Sequence, residues 1–467
     1  ELEARGGGSH EPPPQLTMKP LRNRSHRGNS WFARTALFST LLLAVAVVMI
    51  LTAGSTVHPT ESYRYRFERA PRGAVRQALE REISFYQGRL ARDSSGGLDL
   101  AALAGAYFRM ARATGDLTWM LLAEQTAQRS LASLPFQNGG ALLVLAKVAE
   151  ARHEFGEAIR LARRAGSSDG LAIVVTSTLA TGQVDEASKV AELLLRAYPG
   201  LGSYTLRALV AMARGRDDAA IEDLSQAIAR EEPGEVASSA WARTLLGRLH
   251  YRRGRLTEAR SLYLETLRIL PQYPLALLNL AELEMRLREY RKAEDHLTQV
   301  VNITRSSPNV YDHAVLRGLA RVKALQGDHR AAARFWDEAE ARLRQDVTSG
   351  QFGHRRELAR LLLERGRRED VDEALRLIRM EVQFRRDAET LYVLAWALSE
   401  EGRLLEARDV MREALRWGIR DAKLFYRAAQ IEEALGRRAQ ALTYLASAMG
   451  TDPTFDEHAR RIQAFGL

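Results

Sequence analysis

The 467-residue chain contains no cysteine. That single absence removes disulfide bridges, thiolate nucleophiles, thiolate zinc sites and iron–sulfur ligation, and it fits an oxidising compartment, where a stray thiol is a liability. Proline is scarce, at 13 residues, and β-branched runs are few outside residues 45–51 and 173–176. Neither HExxH nor GxxxxGK[ST] occurs, so the sequence offers no helix-borne zinc pair and no phosphate-cradling loop. The ten histidines are scattered, and His250, His296, His313 and His354 fall in or beside predicted helices, where a hydrogen-bonded histidine is the ordinary case. No cofactor and no metal are expected, and the chain reads as something other than an enzyme.

What is present is 46% hydrophobic and 27% charged residue, dominated by Ala, Leu, Arg and Glu, the mixture of long amphipathic helices. The formal charge of +10 gathers partly at the amino terminus. Lys19, Arg22, Arg24, Arg27 and Arg34 occur there with no acid among them. Further on, both signs are interleaved, as in Arg252, Arg253, Arg255 and Arg260 with Glu258 and Glu265, which marks solvated helix faces rather than a phosphate-tracking stripe. Nucleic acid is therefore not expected as a partner, and a small molecule is not either.

From Ala36 to Ala53 no charge occurs. These 18 residues would span about 27 Å as a helix, close to the hydrocarbon thickness of a bilayer. Trp31 and Phe32 precede them, where aromatic rings favour the membrane interface. The run exceeds the apolar core of a cleaved signal peptide, so an uncleaved anchor is expected. Four arginines in residues 21–35 against Arg64 and Arg66 in residues 54–68 place the short tail in the cytoplasm. The expected location is thus a bacterial-type inner membrane, crossed once, with the large domain on the periplasmic or extracytoplasmic side.

Beyond residue 98 a glycine that ends one helix is followed five residues later by an alanine in the next. The pairs are Gly182 and Ala187, Gly215 and Ala220, Gly254 and Ala259, Gly327 and Ala332, Gly402 and Ala407, and Gly436 and Ala441. Arg288 and Ala293 keep the offset without the glycine, and Gly366 to Ala374 is longer by three residues around Arg368 to Asp370. Successive alanines from 187 to 441 are 33, 39, 34, 39, 42, 33 and 34 residues apart. A turn between antiparallel helices needs a residue that tolerates the left-handed region, and the second helix then needs a small side chain where it meets the first.

This pattern resembles the tetratricopeptide repeat, a 34-residue helix–turn–helix. The segment from Trp241 to Pro271 is similar to it at Leu246, Gly247, Gly254, Ala259, Tyr263 and the closing proline. The resemblance implies an all-α fold: a right-handed superhelical solenoid of about ten antiparallel helix pairs, preceded by a single transmembrane helix. The expected divisions are a disordered basic tail (1–30), the anchor (31–55), a juxtamembrane linker and helix (56–97), the solenoid (98–453) and a carboxyl-terminal capping helix (454–467). The resemblance further implies that first helices line a concave groove that takes a peptide or helix. Its inner positions fall on Trp241, Arg248, Arg252, Asn279, Arg317, Arg321, Tyr392, Trp396, Tyr426 and Arg427, types enriched in interface hot spots. The expected role is a membrane-tethered scaffold that binds protein partners and assembles or recruits an envelope complex. A structural subunit of one membrane complex and an accessory factor of glycan or polymer export are the alternatives.

Overall fold

The computed structural model describes residues 63–69, 71, 73–304, 309–349 and 354–464. The basic tail and the apolar run Ala36–Ala53 lie outside them, and among the described residues no helix is long and apolar enough to cross a membrane.

Helix α1 (Ala74–Leu90) begins after Gly73, and the loop at 93–96 separates it from ten helix pairs. The first five are α2 (Gly97–Thr114) with α3 (Leu117–Ser133), α4 (Gly139–Ala151) with α5 (Phe155–Ala165), α6 (Ser168–Ala180) with α7 (Val184–Ala197), α8 (Leu201–Ala213) with α9 (Asp217–Ala229), and α10 (Val236–Arg252) with α11 (Leu256–Ile269). The second five are α12 (Pro274–Arg286) with α13 (Tyr290–Thr304), α14 (Asp312–Leu325) with α15 (His329–Ser349), α16 (Arg355–Arg365) with α17 (Val371–Glu381), α18 (Ala388–Glu400) with α19 (Leu404–Leu415), and α20 (Ala422–Ala434) with α21 (Arg438–Thr451). Helix α22 (Glu457–Ala464) follows. The three inserted residues Arg368–Asp370 form a short 3-10 turn before α17.

The turn logic holds residue by residue. Alanines 187, 220, 259, 293, 374 and 407 are fully buried, and 332 and 441 nearly so. A larger side chain at any of them would hold the two helices of its pair apart. The turn glycines adopt positive φ, and where glycine is missing Arg288 itself takes φ 63°, a conformation that costs a side-chain-bearing residue roughly 1–2 kcal/mol. His153, at φ 63°, does the same ahead of the buried Ala158 and reveals an earlier repeat whose turn also lacks glycine. Gly247 packs so tightly on Tyr263 that a Cβ there would run into the ring. Successive first helices touch one another, whereas successive second helices lie farther apart. First helices therefore form the tighter, inner side of the coil.

The coil also folds back along its own edge. The turn at Gly115 meets Asn309, whose Nδ2 donates to the Thr114 carbonyl at 2.8 Å, and Asp116 and Asn309 form an antiparallel bridge. The Arg386 amide donates to the Ala180 carbonyl at 2.8 Å, and Gly215 abuts the carbonyl of Gly418. Arg252 pairs with Asp421 at 3.0 Å, and Arg286 with Asp452 and Thr454. Turns within the first six pairs are thus seated on junctions between later pairs, some 170–230 residues away. Solenoid rules describe contact between neighbouring repeats only; this second set of contacts comes from curvature.

Helix α22 departs from the expected cap. Phe455 and Ala459 do pack on the last pair, against Ala422 and Ala448. Ile462, however, joins the core built by α12, α13 and α14, and the His458 imidazole contacts the Met285 carbonyl at 3.0 Å. The helix is therefore a clamp across the seam, and Leu442 and Met449 of α21 stay exposed.

Candidate functional site

The ten expected groove residues do not share one fate. Arg248 on α10 reaches Glu282 on α12, lies over the Tyr251 ring, and comes within 3.4 Å of Asn279 Oδ1. Burial opposes its charge, but the neighbouring Glu282 carboxylate outweighs that cost and raises its pKa. The Asn279 amide donates back to the Leu275 carbonyl at 2.7 Å, so it closes its own helix. Arg252 points to the seam and Asp421 rather than along the inner face. Trp241, in the second turn of α10, is half-buried.

Farther along, the inner face is an internal ladder of charge. Arg317 and Arg321 on α14 converge on Glu364 of α16, at 2.6 and 3.0 Å. Arg360, one turn back on α16, donates Nε to Glu364 at 3.0 Å and Nη1 to Glu389 at 2.8 Å. Lys423 on α20 then holds Glu389 at 2.7 Å. The Glu364 side chain is fully buried and those of Arg317 and Arg321 nearly so. Burial drives the Arg321 guanidinium down to about 9; Glu364 resists this and the nearby Arg317 and Arg360 charges reinforce it. Glu389 is half-buried; its partial desolvation favours the neutral form, yet Lys423 and Arg360 hold it well below the usual carboxylate range.

The aromatic part lies at the carboxyl-terminal end. Tyr392 and Trp396 on α18 are buried, with Arg427 stacked 4.7 Å from the Trp396 ring centre and Lys423 4.8 Å from that of Tyr392. Trp396 Nε1 donates to Glu400 at 2.9 Å. Tyr426 remains half-open: it lines a cavity of about 270 Å³ with Gln430, Met449, Phe455 and Arg460, and the Arg460 guanidinium sits 5.0 Å from its ring centre.

The structure therefore brings Arg317, Arg321, Tyr392 and Trp396 into internal contacts and leaves Trp241, Arg248, Asn279, Tyr426 and Arg427 partly accessible. Sequence reasoning missed Arg360, Glu364, Glu389 and Lys423. The signal was there in Arg356, Arg360 and Glu364, spaced by four on one helix face. It also missed Tyr63 to Phe67 (YRYRF), whose period of two is that of an extended strand. It also took the serine-nucleophile motif GxSxG to be absent, whereas Gly166 to Gly170 (GSSDG) has that spacing. The serine at the nucleophile position is Ser168, the first residue of α6, and its neighbour Ser167 caps that helix by accepting the Gly170 amide at 3.1 Å; the setting is a helix–turn–helix rather than the strand–turn–helix that such a nucleophile needs. Among the described residues no cluster of three or more His, Asp or Glu could hold a metal ion.

Family models recognise part of this architecture. Tetratricopeptide repeat models match residues 205–274, 244–310 and 388–417. A model described as anaphase-promoting complex subunit 5 matches residues 128–183. No curated protein matches the chain. Among solved structures, it is similar to pilF of Pseudomonas aeruginosa at 16% identity, over 44% of this chain and 90% of that one, with a TM-score of 0.34. A tetratricopeptide repeat protein from Parabacteroides merdae is 15% identical over 58% of this chain and 98% of its own, with a TM-score of 0.35. MamA is 15% identical over 38% and 97%, with a TM-score of 0.31. The chain therefore carries tetratricopeptide repeats at residues 205–310 and 388–417, within a solenoid of helix pairs among the described residues.

Proposed function

We propose that the chain is a membrane-tethered scaffold that binds protein partners on its inner face and assembles or recruits an envelope complex, and that it has no catalytic activity of its own. The observation that carries the reading is the inner face between Arg317 and Tyr426. Three guanidiniums share the buried Glu364 carboxylate there, and beyond them α20 presents Tyr426 and Arg427 partly open. A partly open cation and aromatic ring beside a rigid, buried ladder suit an acidic segment of a protein partner. Exposed large aromatics support protein over a chain-like polymer: Phe85, Phe136, Tyr198 and Phe384 sit apart, on loops and outward helix faces, not in one stripe. The tether rests on the apolar run Ala36–Ala53 and its basic flank.

Two measurements on the full chain test this. Photo-crosslinking residues placed at Tyr426 and Trp241 should capture protein partners in native membranes, whereas one at Leu405, exposed on the second helix α19, should not. Capture from position 405 alone would refute the inner-face reading. Alkaline extraction should leave the chain in the membrane pellet, and release on alkaline washing would refute the tether.

A further inference from the structure

The residues just ahead of the solenoid occupy a cleft on its outward side. Tyr63, Tyr65 and Phe67 are buried or half-buried, while Arg64 and Arg66 between them are exposed, so burial alternates as in an extended strand. The walls are α9, α10 and α11. Tyr63 reaches Ser225 on α9 at 3.2 Å between hydroxyls, the Tyr65 amide donates to Glu265 on α11 at 2.7 Å, and Arg66 donates to the Ala229 carbonyl at 2.8 Å. The floor is Arg243 on α10, fully buried and paired with the equally buried Glu231 at 2.7 and 3.0 Å. The remaining guanidinium edge, Nε, donates to the Tyr63 carbonyl at 2.8 Å, and the Tyr65 ring centre lies 5.7 Å from the guanidinium carbon. A buried cation whose last donor is satisfied by a backbone carbonyl of a passing segment is a feature of a peptide-binding site. One segment cation also meets a cleft acid, Arg66 lying 3.9 Å from Glu231, while Glu265 is shared between the Tyr65 amide and Arg268.

We propose that this outer cleft is a second peptide-binding site, distinct from the inner face, and that residues 63–67 are its self-ligand, a releasable clasp between the amino-terminal region and the fourth and fifth helix pairs. Its ligand class is an extended segment with aromatic residues at alternate positions and cations between them. While the clasp is in place, any such segment from a partner or a second copy must compete with it. The clasp is releasable because it is joined to the pairs it touches by side-chain and single-strand contacts alone, and Pro71 and Gly73 separate it from α1.

The test uses the full chain and a fluorescein-labelled peptide of residues 60–69. The Tyr63→Ala/Tyr65→Ala variant, whose own clasp is disabled, should bind the peptide at least tenfold more tightly than the wild type by fluorescence anisotropy. Adding Glu265→Gln, or replacing the tyrosines of the peptide by alanine, should abolish that gain. Equal binding by variant and wild type, or binding by neither while helical circular dichroism is intact, would overturn the proposal. Should the variant fail to fold, hydrogen exchange of the wild type decides. Exchange of the Tyr65 amide at least a hundredfold faster than the α10 core supports a releasable clasp, and equal protection overturns it.

Discussion

Replacing Glu364 by Gln should be among the most damaging single changes in the carboxyl-terminal half. The substitution keeps the shape of the side chain and removes its charge. Glu364 is fully buried and accepts from Arg317, Arg321 and Arg360, whose side chains are 4%, 1% and 9% exposed. Arg360 also pairs with Glu389 at 2.8 Å. Removing one partner of a buried ion pair costs about 3–5 kcal/mol, because the remaining charge stays out of water without compensation. Repeat arrays unfold in segments, so the cost should appear locally. Hydrogen exchange should show amides of α14 and α16 losing about two to three and a half orders of magnitude of protection, with α4 to α7 unchanged. The comparison is Asp218→Asn, which removes an acid 90% exposed and 3.9 Å from Arg253 and should stay within about 0.5 kcal/mol of wild type. A Glu364→Gln chain within about 1 kcal/mol of wild type in urea would show that the ladder does not hold pairs seven to ten together.

Three further changes probe turns, core and pH. Gly215→Ala should destabilise far more than Gly436→Ala in urea titrations: both glycines have positive φ, but a Cβ at 215 collides with the Gly418 carbonyl whereas 436 faces open space. Equal losses would mean that the seam adds nothing to stability. Gly247→Ala should cost roughly 1–3 kcal/mol by overpacking against Tyr263, and a cost near zero would contradict the close approach of α10 and α11. His250 is buried, and loss of solvation with the nearby Arg255 charge holds its imidazole down to about 4. The unfolded chain takes up that proton near pH 6.5 and the folded one does not, so the contribution is complete above pH 6.5 and is lost as pH falls toward 4. Between pH 7.5 and 5 the wild type should lose about 2 kcal/mol that a His250→Leu chain does not lose, and identical pH profiles would refute the assignment.

The repeat was readable because its rule is local. Gly254, Ala259 and Tyr263 each answer a contact made within one helix pair, so their spacing survives in the linear sequence. The insertion at Arg368 to Asp370 was visible for the same reason and became one turn of 3-10 helix. The groove was less legible. Offsets from the alanines put Arg317, Arg321, Tyr392 and Trp396 on first helices correctly, yet they could not tell an accessible inner face from one whose side chains are consumed by neighbours. That distinction depends on Glu364 and Glu389, which lie 43 and 29 residues from the arginines they bind.

Sequence by itself determined the helical class, the pairing of helices and the small residue at each close contact, because these follow from turn stereochemistry and side-chain volume over about 34 residues. Tertiary structure alone decided three things. It seated early turns on late junctions, as Gly215 on Gly418. It sent α22 back to the α12–α14 core, and it laid residues 63–67 across Arg243. Each joins residues roughly 170–200 apart, and such contacts are set by the summed small rotations of successive repeats, a quantity that no single repeat encodes.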